Sequence, residues 1–153
     1  MQIEGAFGLP FEISRRPLKG ICTYICAGTG VLPILDFLFG LYLCLKREDP
    51  PPSSFHLKLI GSFRYGCVPG RELILALLAL KSTYFSVVLN FSSPCHDFPA
   101  PNTFGIQFTE SFLAQNLLPE SQMFYICGPP SFGESCLGSL QSLGVPSSSI
   151  EWI

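Results

Sequence analysis

The sequence predicts an α/β fold: an open, three-layer, largely parallel sheet of about five strands with helices on both faces. Three observations carry this. From residue 21 onward, segments rich in β-branched and aromatic residues alternate with helical ones, the rhythm of βαβ units joined by crossover helices. The first strand segment, residues 20–27, is apolar almost throughout, the pattern of a strand covered on both faces. The length of 153 residues, 48% of them hydrophobic, suffices for one ordinary core but not comfortably for two.

The elements follow in order. "GICTYICA" (20–27) is a nearly continuous apolar strand, and "GTGVLP" turns it into a helix beginning near Pro33. Proline suits a first helical turn, where its missing N–H costs nothing. The run "VLPILDFLFGLYLCL" (31–45) looks membrane-like, but it falls short of the roughly 20 apolar residues a span needs and contains Asp36, which favours a buried helix over an anchor. The polar, proline-rich "REDPPPSS" ends it. "FHLKLIGSF" reads as the second strand, "GRELILALLALK" as a helix, and "YFSVVLNFSS" as the third strand. A loop, "PCHDFPAPNTFG", leads to Thr109, an N-cap for "ESFLAQNLL". "SQMFYICG" is then the fourth strand, "SFGESCLGSLQSLG" the fourth helix and "SIEWI" a short last strand. Ser131 and Glu134 stand at capping-box spacing, which predicts a helix starting immediately after Pro129 and Pro130.

Composition excludes several function classes. Charged residues make up 13%, against about a quarter in ordinary globular chains, so the surface is unusually apolar and implies a permanent partner. A net charge of −2 with no basic stripe argues against nucleic acid. Seven cysteines, at 22, 26, 44, 67, 95, 127 and 136, contain no CxxC pair, so neither a disulfide framework nor a zinc site is expected. The compartment reads as intracellular and reducing. Glu4 and Glu12 precede any long apolar run, and no signal peptide is expected. No metal site is expected either: His56 has no second ligand in its pattern, and the contiguous Cys95, His96 and Asp97 cannot converge on one point.

The residues that carry chemistry sit at two glycine-bearing breaks, "AGTG" and "CGPP", each at the carboxyl end of a strand, where open parallel sheets bind their ligands. In the first, the backbone of Gly28, Thr29 and Gly30, bare of side chain at the two glycines, can approach a diphosphate, and a helix N-terminus offers N–H donors. The full dinucleotide fingerprint would want glycine where this chain has Pro33, so a tight strand-to-helix turn is the alternative reading of this motif alone. In the second, two prolines after a strand-end glycine make a rigid rim with Cys127 as the last side chain before it. Alone, Cys127 reads equally well as one more small buried residue.

Together the two motifs resemble the nucleotide-binding half of the ferredoxin-NADP reductase superfamily, including NADH-cytochrome b5 reductases. "AGTGVLP" is followed about a hundred residues later by "YICGPP", a helix, "LGVP" and a terminal strand bearing an acid. The resemblance runs from about Ile21 to Ile153, and "GAFGLPFEI" (5–13) resembles the segment that closes the flavin domain of that family. It implies two parts: residues 1–20, the remnant of a flavin-domain end with its linker, and residues 21–153, a Rossmann-like NAD(P)H-binding domain of the ferredoxin reductase type. It further implies that Gly28, Thr29 and Gly30 receive the diphosphate, with Pro33 opening the helix. Cys127, Gly128, Pro129 and Pro130 would lie beside the nicotinamide, Cys127 orienting the ring for hydride transfer to a flavin rather than attacking it. Ser62 and Asn90 stand where polar contacts to the cofactor are usual, with Ser92, Ser93 and Asp97 near by. Glu151 would face the flavin edge as a terminal acid does in some relatives; a solvent-facing acid on an edge strand is the alternative.

The flavin barrel and its arginine-bearing motif are missing from the sequence, so FAD is expected only if a flavin domain is supplied elsewhere. NADH is expected over NADPH, because residues 82–153 contain no lysine or arginine to meet the extra phosphate. A bulky residue at Gly28 or Gly30 is expected to abolish binding and leave the fold intact. The function that follows is an NADH-binding module of a flavin-dependent oxidoreductase, inactive in isolation and partnered by a flavin-binding domain or subunit. The alternative is a non-catalytic accessory or scaffold subunit of a larger, membrane-associated electron-transfer complex.

Overall fold

The computed structural model describes residues 20–64, 67–92, 98, 102–104 and 108–153. Within them the chain runs β1 (Ile21–Ala27), a 3-10 turn (Gly28–Val31), α1 (Leu32–Lys46), β2 (His56–Phe63), α2 (Arg71–Ala79), β3 (Phe85–Phe91) and β4 (Asn102–Phe104). It continues with α3 (Glu110–Asn116), β5 (Ser121–Cys127), α4 (Pro130–Ser142), a second 3-10 turn (Ser147–Ser149) and β6 (Ile150–Trp152). The six strands form one sheet in the order β4-β3-β2-β1-β5-β6, and every neighbouring pair is parallel. The expected α/β class is observed. The strand read fourth from the sequence is β5, because the three-residue β4 adds an edge inside what reads as a loop.

Side-chain alternation places two cores. Tyr24, Cys26, Leu57, Leu59, Phe63, Val87, Leu89 and Tyr125 point to the face covered by α1 and α2. Ile25, Ile60, Phe124 and Ile126 point to the face covered by α3 and α4. Both faces being apolar explains why β1, at the centre of the sheet, is apolar almost throughout. On the helices only the inward stripe is buried: Ile34, Leu38 and Leu41 on α1, Ile74 and Leu77 on α2, and Cys136 and Leu140 with Gly133 on α4. The expectation of a buried first helix therefore holds for one side only, since Leu32 and Phe39 on its outer side are exposed.

Helix ends follow local chemistry with one departure. Thr109 accepts the Phe112 N–H at 3.4 Å and caps α3 as expected. The capping box of Ser131 and Glu134 does not form. Helix α4 begins one residue earlier, at Pro130, with Pro129 as an N-cap that supplies no side-chain bond. A proline fixed near helical φ and lacking an N–H is already suited to the first position. At the far end Gly144, at φ 83°, closes α4 with its N–H on Gln141 O and that of Val145 on Leu140 O, a Schellman ending that needs the left-handed residue. His56 stands at the amino end of the sheet, its Nδ1 2.6 Å from Thr83 O and its Nε2 2.7 Å from Ser86 Oγ. Both ring nitrogens are thus engaged structurally, away from the carboxyl ends.

Candidate functional site

The chain builds outward from β1 through β2 and β3 to β4, then crosses back to lay β5 on the opposite side of β1. Connections from the two central strands diverge at that point, leaving a crevice at the carboxyl ends of β1 and β5, the place where open α/β sheets take ligands. Both glycine breaks open into it. Cys26 lies opposite Cys127 in register, so "GTG" and "GPP" begin within one residue of the same level of the sheet.

The two breaks are held against each other by backbone. A Cβ on Gly30 would stand 2.2 Å from Cys127 O and 2.6 Å from Cys127 C, closer than any side chain tolerates. The Tyr24 hydroxyl, rooted in the core, donates to Gly30 O at 2.9 Å and fixes the turn from beneath. Gly128 is also tightly enclosed, a Cβ there falling 2.9 Å from Phe132 and 3.3 Å from the Ala27 Cβ. Gly30 is therefore required by packing, which corrects the expectation that a bulky residue at this position would leave the fold intact. Gly28 differs. It has φ 54° and no atom within 4 Å of the place where a Cβ would stand, and both it and Thr29 are exposed, so this part of the turn offers bare backbone to the crevice.

The helix starts around the crevice also favour an anion. Neither the 3-10 turn leading into α1 nor α4 has a side-chain cap or an acid in its first turn. By contrast α2 and α3, which begin elsewhere, carry Glu72 and Glu110 in their first turns. An acid there neutralises the positive end of a helix, and its absence at the two starts facing the crevice leaves N–H groups and dipole available to a negatively charged ligand.

Of the residues expected from sequence, Gly28, Thr29, Gly30, Cys127, Gly128 and Pro129 lie at this junction. Pro33 is the second residue of α1 and Pro130 the first of α4, where they shape the helix starts. Ser62 and Asn90 fall into one row across the sheet: Ala27 pairs with Ser62, Ser62 with Asn90 and Asn90 with Thr103. Thr103 donates to Asn90 Oδ1 at 3.1 Å and holds that buried side chain. Thr103 is not marked by the sequence, because its strand is too short to show a period. Glu151 is exposed on the edge strand, in register with Tyr125, two residues before the level of Cys127. Ile153, whose N–H reaches Ile126 O at 2.9 Å, is the residue nearest that level. Trp152 lies on the other face against Gly133, where any Cβ would strike the indole. Ser93, Cys95, His96, Asp97 and residues 1–19, including "GAFGLPFEI", lie outside the described residues.

Burial sets the electrostatics. It pushes the Cys127 thiol up, a contact with the Tyr24 hydroxyl opposing the shift in part. Burial also raises Cys26, with Cys127 and Cys136 adding to the effect, and Tyr24 is raised by burial first and then by the two thiols beside it. The rim of the crevice therefore presents a neutral thiol, suited to packing against an uncharged ring and unsuited to nucleophilic attack. The residues present fit a pyridine dinucleotide: open backbone at Gly28, uncapped helix starts for a diphosphate and an uncharged wall at Cys127. No group of three metal-ligating residues occurs among the described residues.

Comparison with known proteins gives the same fold. No family model matches the chain. The chain is 29% identical over 153 residues to the F subunit of the Na(+)-translocating NADH-quinone reductase of Mannheimia succiniciproducens, covering 94% of this chain and 34% of the relative. Among solved structures it superposes on the CS-b5R domains of human Ncb5or in the NAD+ form, with a TM-score of 0.68, 22% identity and coverage of 93% of this chain and 39% of that one. The cytochrome b5 reductase domain of Ulva prolifera nitrate reductase gives 0.67 at 15% identity, covering 88% and 49%. Flavohemoglobin from Malassezia yamatoensis, with bound FAD and heme, gives 0.64 at 20%, covering 88% and 31%. The chain thus shares its α/β fold with part of these reductase-containing structures, as its motifs implied, and it spans about a third of the curated relative's length.

Proposed function

We propose that residues 21–153 are the NADH-binding module of a flavin-dependent oxidoreductase and that the dinucleotide lies across the β1/β5 crevice. The observation that carries this is the backbone-to-backbone lock of Gly30 on Cys127 at the topological switch point, which sets an open turn and an uncharged rim side by side. When bound, the dinucleotide supplies a hydride from its nicotinamide. The chain's own part is to hold it. Amides of Gly28, Thr29 and the first turn meet the diphosphate. The row of Ser62 and Asn90 would supply polar contacts to the adenosine ribose. Cys127, Gly128, Pro129 and Pro130 form a stiff wall that orients the ring, and Cys127 as a neutral thiol adds no competing charge. Glu151 is the acid at the outer edge toward which an acceptor would dock.

The accepting flavin would be supplied by a domain or subunit outside these 153 residues. The match to one component of a Na(+)-translocating NADH-quinone reductase supports a membrane-associated electron-transfer complex as the setting. The 153-residue polypeptide is therefore expected to purify colourless and to show no diaphorase activity with NADH and an artificial acceptor. A titration of it with NADH, followed by quenching of Trp152, tests the reading directly. Saturable binding supports it. Absence of binding by a folded chain overturns it in favour of the scaffold reading, which the exposed apolar side of α1 otherwise favours.

A further inference from the structure

We infer that the outer face of α1 is a homodimer interface, occupied by the same helix of a second copy in antiparallel orientation. Residues at successive near-turn spacings make one stripe on this helix: Leu32, Asp36, Phe39, Leu43 and Arg47. Leu32 is 49% and Phe39 53% exposed, and the buried residues Ile34, Leu38 and Leu41 lie on the opposite side. Beside the stripe, Gly40 has no atom within 4 Å of the place where its Cβ would be, a notch that lets a second backbone approach closely. These aligned apolar side chains, on a chain with only 13% charged residues, are surface that a partner would remove from water.

The order of charges along the stripe selects the occupant. Asp36 stands near its amino end, Lys46 and Arg47 at its carboxyl end, all three exposed, about 15 Å apart at 1.5 Å per residue. Position 41 lies midway between Asp36 and Lys46, and equally midway between Phe39 and Leu43. An antiparallel pair with its two-fold axis at the level of residue 41 therefore sets Asp36 of one copy opposite Lys46 and Arg47 of the other, twice, and Phe39 opposite Leu43, twice. Such a self-complementary patch is what an isologous two-fold interface requires. A bilayer fits less well. Asp36, within the stripe, would be driven into the boundary between headgroups and acyl chains.

The test is sedimentation equilibrium of the 153-residue chain over a range of concentrations in reducing buffer, which prevents linkage through the exposed Cys44 and Cys67. The parent is expected to dimerise and Phe39→Glu to be monomeric with an unchanged circular dichroism spectrum. Asp36→Lys should weaken the dimer roughly tenfold, two exposed ion pairs being lost together. The triple variant Asp36→Lys, Lys46→Glu, Arg47→Glu should restore it, because the pattern is reversed on both copies. A parent that stays monomeric, a dimer that persists in Phe39→Glu, or a triple variant no better than Asp36→Lys overturns the inference. So does a monomer that co-sediments with phosphatidylcholine/phosphatidylserine vesicles and loses this in Phe39→Glu, which would assign the face to a membrane.

Discussion

Replacing Gly30 and Gly28 separately by alanine should separate a packing role from a binding role within one three-residue turn. At Gly30 the new methyl carbon would lie 2.2 Å from Cys127 O, and ordinary contact begins at 3.4 Å, so the two turns must part by about 1.2 Å. Both obstructing atoms are backbone at the end of a central strand, with no flexible side chain to yield. The overpacking costs about 2 kcal/mol, and the strained Tyr24 bond to Gly30 O adds about 1 kcal/mol. Together they should lower the melting temperature by roughly 6 to 12 °C for a domain of this size. At Gly28 the methyl meets nothing, and only the left-handed backbone opposes it, at about 1 kcal/mol or a fall of roughly 2 to 4 °C. The binding order should be the reverse of what stability alone suggests: the well-folded Gly28→Ala chain should bind NADH at least about tenfold more weakly, because its methyl stands where the diphosphate approaches backbone. Far-UV circular dichroism melts and Trp152 titrations read both quantities on the same samples. A Gly30→Ala protein that melts with the parent would refute the backbone lock, and undiminished NADH binding by Gly28→Ala would refute the placement of the diphosphate.

Three further expectations follow from the same geometry. NADH should bind at least about tenfold tighter than NADPH, since one charge-assisted contact is missing; Arg64, exposed just past β2, is the control, and equal NADPH affinity that vanishes in Arg64→Ala would show that this cation reaches the site. Thr103→Val removes the hydroxyl that donates to buried Asn90 Oδ1 and should lower stability by about 1 to 2 kcal/mol in urea titrations, whereas no change would mean that the β4 edge is not held through this bond. Stability should also fall at alkaline pH. The thiol of Cys136 is pushed up to about 12 by burial and that of Cys26 is raised as well, so the folded state keeps protons that the unfolded state sheds above about pH 8.5. The contribution is complete below that pH and declines above it by about 1.4 kcal/mol per pH unit per thiol until the folded groups titrate; a flat profile from about pH 8 to about 10 would contradict the burial.

Much of this protein is legible in its residues read in order. The strand Ile21–Ala27 announces itself by a nearly continuous apolar run, as a strand buried on both faces has little polar phase, and Phe85–Phe91 by its β-branched and aromatic residues. Thr109 before an apolar run marks a helix start, since its hydroxyl is matched to an N–H three residues on. The two glycine breaks can be found for the same reason: turn chemistry is written in a few contiguous residues. Where two local signals compete, sequence can mislead. Ser131 and Glu134 have the right spacing for a capping box, yet Pro130 already supplies a helical φ and needs no cap.

What contiguous residues do not encode is which distant segments become neighbours. That Cys26 stands opposite Cys127, that Ser62, Asn90 and Thr103 share one row, and that Asn102–Phe104 pairs as a sixth strand are results of strand order. Strand order is selected by burying both sheet faces at once, a condition that no window of residues contains. The role of Gly30 shows the difference most sharply. Its presence in a Gly-Thr-Gly turn is plain from the sequence, but whether its missing side chain makes room for a ligand or for another stretch of backbone depends on an atom, Cys127 O, that lies 97 residues away along the chain and only 2.2 Å from its absent Cβ.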